Sequence, residues 1–147
     1  MTHDFRPETR VLRNLRNLLV AIAVAAPLVS CSEEVTGPSD VVGTVWRLES
    51  MERTGAARFA PDDPSRFTVE FKADGSLGVR ADCNVCGGSY TLNGGRLTSG
   101  PLVCTLVACP QPEGQQFAAI IDGSAELDKD DDELEIESTE GKLVLTR

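Results

Sequence analysis

The sequence predicts an α+β domain that is mostly antiparallel β, on three observations. Apolar and polar residues alternate in several short runs, Asp74-Gly75 and Asn93-Gly94 join neighbouring runs, and a single stretch sets its apolar residues on a helical stripe. Local antiparallel pairings with one short helix belong to that class. A closed or nearly closed sheet would remove the edges that so many short strands expose.

The elements follow in chain order. Val45-Trp46-Arg47-Leu48 begins a strand with Trp46, Leu48 and Ser50 on one face, and residues 52–65, with Gly55, Pro61, Pro64 and two aspartates, read as a loop. Phe67, Val69 and Phe71 alternate with Thr68 and Glu70, Asp74-Gly75 supplies a turn suited to positive φ, and Leu77, Val79 and Ala81 alternate on the return. A second hairpin runs from Ser89-Tyr90-Thr91-Leu92 through Asn93-Gly94-Gly95 into Arg96-Leu97-Thr98. The helix is expected over Pro112 to Asp122: proline suits a first turn, Glu113 suits the positive helix end, Phe117, Ile120 and Ile121 form the stripe, and Gly123 stops it. A last hairpin pairs Leu134-Glu135-Ile136-Glu137 with Leu143-Val144-Leu145.

Ahead of the domain lie two further segments. Arg6, Arg10, Arg13 and Arg16 precede an apolar run from Leu18 to Leu28, too short to span a bilayer, and Leu28-Val29-Ser30-Cys31 closes it. The arrangement resembles the signal and lipobox of a bacterial lipoprotein. That likeness implies a signal peptide over residues 1–30, removed before Cys31, and acyl chains (palmitate among them) on Cys31 that anchor the protein in a membrane. Ser32, rather than aspartate, follows Cys31 and implies the outer membrane, facing the periplasm or the surface. Residues 31–42 mix charge, Gly37 and Pro38 without periodicity and read as a flexible tether, so the domain spans 43–147.

Charge and composition exclude whole classes of function. Four of the 14 basic and two of the 23 acidic residues lie in the signal segment, which leaves 10 against 21 and a net charge of −11. Such a surface repels nucleic-acid phosphates, so no nucleic acid is expected as a partner. The one histidine, His3, is in the signal segment, which removes serine- or cysteine-histidine catalysis and histidine-ligated metal from the mature chain. A carboxylate-dependent hydrolase is the remaining enzymatic alternative, but its acids are dispersed or lie in turns. Asp128-Lys129-Asp130-Asp131-Asp132-Glu133 imitates a calcium loop at its first, third and fifth positions, yet Glu133 stands where such a loop needs glycine and Thr139 where it needs glutamate. A solvated turn is expected there, with no metal and no cofactor.

Cys83, Cys86, Cys104 and Cys109 remain. Four thiolates in two closely spaced pairs fit either two disulfides or a zinc-stabilised interaction module, and export favours disulfides. Around them Asp82-Cys83-Asn84-Val85-Cys86-Gly87-Gly88-Ser89-Tyr90-Thr91 and Thr105-Leu106-Val107-Ala108-Cys109-Pro110 resemble the signature segments of the META domain, also called HslJ-like, with Asn84, Gly88, Ser89, Tyr90 and Thr105 as the motif positions. Trp46-Arg47-Leu48, the Phe67–Phe71 run, the Phe117 helix and the closing strand are similarly placed. Two departures stand out: Asp82 takes the place of the usual glycine, and Leu106-Val107 that of an Arg-Met pair.

The resemblance implies an open, or cracked, β-barrel with a helix against it, and no catalytic site. It also implies pairing of Cys83 with Cys109, which leaves Cys86 for Cys104; the crossed pairing stays open on the sequence. A helix that covers an unclosed barrel only in part would leave a groove for an apolar peptide, protein or lipid ligand. The implied role is a non-enzymatic envelope protein supporting envelope integrity or stress tolerance, with Asn84, Ser89 and Tyr90 fixing a tight disulfide-bearing turn and a cross-strand contact.

Overall fold

The computed structural model describes residues 41–147; the signal segment, Cys31 and the tether as far as residue 40 lie outside the described residues. The elements are β1 (Val45–Glu52), β2 (Phe67–Phe71), β3 (Ser76–Ala81), β4 (Asn84–Asn93), β5 (Arg96–Ser99), β6 (Val103–Cys104), α1 (Glu113–Ile121), β7 (Ser124–Asp130), β8 (Glu133–Ser138) and β9 (Gly141–Thr146). Every strand pairing is antiparallel. The order β3-β2-β1-β9-β8-β7-β5-β4 returns to β3 through the β3–β4 ladder, so eight strands form a barrel, and β6 lies against β4 outside the ring.

Period-two alternation builds the interior. Trp46 and Leu48 of β1, Phe67, Val69 and Phe71 of β2, Leu97 of β5, Leu134 and Ile136 of β8, and Leu143 and Leu145 of β9 all turn inward and are buried. A register shift between Leu48 and Ser50 lets β1 bury Ser50 and Met51 in succession. The buried Trp46 indole N–H donates to the Val41 carbonyl at 3.1 Å, which satisfies its one polar group. Val41 is itself buried and Val42 bridges Phe71, so the folded domain takes in two residues that the expected tether of 31–42 counted as linker.

α1 closes the end of the barrel remote from Val41. Phe117, Ile120 and Ile121 are fully buried, each contributing roughly 2 kcal/mol of apolar burial, and Phe117 meets Phe67 edge-on with ring centroids 5.6 Å apart. Gly114 presses against the β3–β4 turn, where an added Cβ would come within 2.6 Å of the Ala81 carbonyl oxygen. Gly123 stops the helix at φ +90°, and the buried Ser99 hydroxyl donates to the Ile121 carbonyl (3.0 Å) and accepts from the Gly123 N–H (2.8 Å).

Three expectations change. The run from Asp128 is a turn only at Asp131-Asp132; Asp128 to Asp130 finish β7, a strand whose alternating Ala125 and Leu127 the sequence reading passed over. β4 begins at Asn84 rather than Ser89, so Asn84 opens a strand and the tight turn falls on Asp82-Cys83. The barrel is also less open than the resemblance implies. Its ring of pairings closes, and the opening is local: β7 pairs β5 only at Arg96 to Thr98, so beyond that point the far side of β6 has no strand beside it.

Candidate functional site

The helix-capped end of the barrel gathers Asp82, the four domain cysteines, Asn84 and Thr105. Asp82 turns β3 into β4 at φ +62°, a left-handed conformation that explains why glycine is usual at this position. Its buried carboxylate forms an ion pair with Arg66, and its N–H donates to the Arg66 carbonyl at 2.8 Å, so the local cost is met by a partner from the preceding loop. Sequence reasoning had no signal for this pair, because the two residues share no motif.

Cys83 is joined to Cys109, and Cys86 to Cys104, with Cα separations of 5.9 and 3.9 Å. The first bridge ties the β3–β4 turn to the loop that leads into α1. The second crosses from β4 to β6 at directly opposed positions. The four sulfurs therefore work in two separate places and do not converge as a tetrahedral ligand set would require. Asp82, Cys83 and Cys109 do lie within ligand distance of one another, but both of those sulfurs are taken up in a bridge.

Asn84 organises the loop between the two bridges. Its Nδ2 donates to the Val107 carbonyl (3.0 Å), and its Oδ1 accepts from the Val107 N–H (2.8 Å) and the Thr105 hydroxyl (2.9 Å). Thr105 Oγ1 accepts in turn from the Val85 N–H at 3.1 Å, and the Thr105 N–H donates to the Val85 carbonyl at 3.0 Å. An asparagine amide carries both a donor and an acceptor, which is what pairing with a peptide group demands.

The remaining motif residues sit elsewhere along β4. Gly88 makes room for the Pro101-Leu102 bulge, where a Cβ would lie 3.0 Å from Leu102 Cδ2, and the Ser89 carbonyl accepts from the Gly100 N–H at 2.9 Å. Tyr90 lies towards the opposite end of the barrel, its hydroxyl donating to the Lys72 carbonyl (2.8 Å) and its ring edge-on to Phe71; burial pushes its phenol up from the usual value of 10.0. The motif is thus a set of supports, four along β4 and Thr105 on the loop facing it, rather than a single constellation, and the groups it brings together hold backbone.

What those supports present is apolar. Leu106 is 98% exposed, Val103 77%, Val85 59% and Val107 56%, all on β4, β6 or the braced loop. Between that loop and α1 lies a slot of about 310 Å³, floored by Ala81, Gly114, Ala118 and the Cys86–Cys104 bridge and walled by Leu106 and Val107. The sequence offered one signal for it, the apolar pair Leu106-Val107 between Cys104 and Cys109. Among the described residues no helix is long and apolar enough to cross a membrane.

A family model described as META domain matches residues 39–147. Among solved structures, an NMR structure of a protein from Burkholderia xenovorans is similar at a TM-score of 0.57 and 20% identity, covering 74% of this chain and 84% of that one. A second NMR structure is similar at a TM-score of 0.59 and 18% identity, covering 75% of this chain and 93% of the other. At these identities the likeness extends to the fold. No curated protein matches the chain.

Proposed function

The chain belongs to the META-domain family, and from that membership we propose that it is a non-enzymatic, lipid-anchored envelope protein that supports envelope integrity under stress by binding a peptide, protein or lipid partner. The single observation that carries the binding half is the fully exposed Leu106 on a loop held by two disulfides and the Asn84 amide. Exposed apolar side chains cost little when scattered, but Leu106 and Val107 line one slot together, and apolar side chains gathered at a cavity are the usual form of a recognition surface. Anchoring rests on Leu28-Val29-Ser30-Cys31 and the arginine-led apolar run before it, and the absence of histidine beyond His3 supports a role without proton-shuttling chemistry.

The test has two arms. Intact mass of membrane-extracted protein should show an acylated amino terminus at Cys31; a chain retaining Met1, or a soluble form cut elsewhere, rejects the anchor. Deleting the gene should sensitise cells to heat or apolar antibiotics, and a Cys31→Ala form should rescue poorly. A silent deletion, together with turnover of a glycan or peptide by the purified protein, would replace this reading with the carboxylate-dependent hydrolase.

A further inference from the structure

The slot beside β6 has a feature that a plain apolar cavity lacks, a free strand edge along one wall. Just past β6 the Thr105 N–H donates to the Val85 carbonyl and Thr105 Oγ1 accepts from the Val85 N–H, and Cys104 stands opposite Cys86 at the next position. Antiparallel pairing alternates, so the N–H and C=O of Cys104 point away from β4. β6 ends the strand order, and among the described residues no hydrogen bond occupies those two groups. An acyl chain entering the slot would leave them unpaired, whereas an extended polypeptide would pair them.

Charge selects among peptides. The slot shares Val107 and Gln115 with a neighbouring recess lined by Cys109, Pro110 and Gln111, and this shares Pro110 and Gln111 with a third recess of about 320 Å³. There Asp62, Asp63, Asp82 and Glu113 face one cation, Arg66, which is already committed to Asp82. Glu113 Oε2 is buried with no hydrogen-bond partner among the described residues. A groove that is apolar at one end and carboxylate-lined at the other fits a ligand with the matching order.

Resting on the binding role proposed above, we infer that this groove takes an extended peptide segment that adds as a strand to the free edge at Cys104, seats an aliphatic side chain in the slot beside Leu106, and reaches the Glu113 recess with a lysine or arginine. Small floor residues leave depth for a valine- or leucine-sized group and none for specific polar recognition. Specificity therefore comes from the alternation of apolar and basic side chains, and register from the main-chain bonds.

The test uses the full chain in lipid nanodiscs with both bridges intact and a labelled, blocked hexapeptide of alternating lysine and valine. Binding is read by fluorescence anisotropy and located by hydrogen exchange. The expected result is protection confined to Val103–Ala108, with affinity reduced by about tenfold or more for a glutamate-valine hexapeptide and for a lysine-valine hexapeptide N-methylated on alternate residues. Leu106→Asp should weaken binding comparably without moving the thermal midpoint, since that side chain is almost wholly in solvent. Equal binding of the N-methylated peptide, protection elsewhere, or protection of the slot by laurate and not by the peptide would each overturn the inference. A stress phenotype on gene deletion with no protection at the slot rejects this occupant and keeps the envelope role; protection at the slot with a silent deletion does the reverse.

Discussion

The side-chain amide of Asn84 pairs with the peptide group of Val107 in both directions, donating at 3.0 Å and accepting at 2.8 Å, so that one side chain does for an irregular loop what a neighbouring strand does for a sheet. Asn84→Ala removes the two bonds with Val107, the one from the Thr105 hydroxyl and the Nδ2 bond to Cys109 Sγ at 3.1 Å, and should destabilise the domain by about 1–3 kcal/mol, at the low end of a simple sum because the loop is partly solvated. Asn84→Asp keeps the acceptor and loses the donor, so it should fall between. Denaturant unfolding gives the magnitudes. Faster exchange of the Val107 amide in Asn84→Ala, and less change in Asn84→Asp, which keeps the oxygen that this amide donates to, would locate the effect; unchanged exchange in Asn84→Ala would show that the bridges alone hold the loop.

The two bridges should differ in accessibility. Cys86 is 3% exposed and shields one sulfur of its bridge to the half-buried Cys104, whereas Cys83 in the β3–β4 turn and Cys109 in the loop before α1 are both half-buried. Graded reduction followed by alkylation should therefore label Cys83 and Cys109 first, and replacing that pair by serine should cost about 3 kcal/mol in the chain-entropy account of a closed loop. Non-reducing peptide maps read the order directly. Early labelling of Cys86 would mean that β6 separates from β4 more readily than its pairing implies.

Gly114 is required by proximity rather than by conformation. It lies inside α1, where alanine would gain about 1 kcal/mol of helix propensity, yet its Cβ would meet the Ala81 backbone oxygen at 2.6 Å. Backbone on backbone cannot rotate away, so Gly114→Ala should be destabilising by about 1–3 kcal/mol overall. A stabilised variant would show that α1 can lift from the β3–β4 turn at no cost.

These contacts mark the boundary of what the residues reveal in order. Alternation gave β2 and β3 because Phe67 to Ala81 combines a clean period of two with an Asp-Gly turn, and Phe117, Ile120 and Ile121 gave α1 to within a residue at each end. β7 escapes the pattern because Glu126, Asp128 and Asp130 crowd its polar face with acids, a composition that reads as loop, and β6 because two residues show no period. The site was legible in part. Cysteines and Asn84 announce themselves by motif, but the free edge at Cys104 and the Arg66–Asp82 pair come from tertiary placement, which spacing along the chain does not encode.

Two aspartates give the fold an acid-sensitive component. Asp74 accepts from the Ser76 hydroxyl (2.6 Å) and N–H (2.9 Å), and Asp63 from the same groups of Ser65 (2.7 and 3.0 Å). Those bonds, the side-chain ones foremost, hold both carboxyls below the ordinary 3.8. A carboxyl more acidic in the folded than in the unfolded chain stabilises the fold above the unfolded value, and that contribution is lost as pH falls through the folded value. The thermal midpoint should thus decline below about pH 4, and less steeply in an Asp63→Asn, Asp74→Asn double variant. Parallel curves would show that the serine bonds persist equally in the unfolded chain.

The outer face of β7 and β8 sets like charges directly opposite one another: Glu126 with Glu137, Asp128 with Glu135, and Asp130 with Glu133. Arg96 pairs with Glu126, and Lys142 approaches Glu135 at 2.7 Å, but among the described residues Asp128 and Asp130 have no cationic partner. Directly opposed like charges oppose strand pairing by up to about 1 kcal/mol each, and exposure with salt screening reduces that figure. Asp128→Lys converts one repulsive pair into an attractive one and should stabilise the domain by about 0.5–1 kcal/mol, with Asp128→Ala giving roughly half. Added sodium chloride should raise the thermal midpoint of the unaltered chain more than that of the lysine variant, because only the former still has the full repulsion to screen. Equal salt responses, or a lysine variant less stable than the alanine one, would show that the acidic ladder imposes no cost on this hairpin.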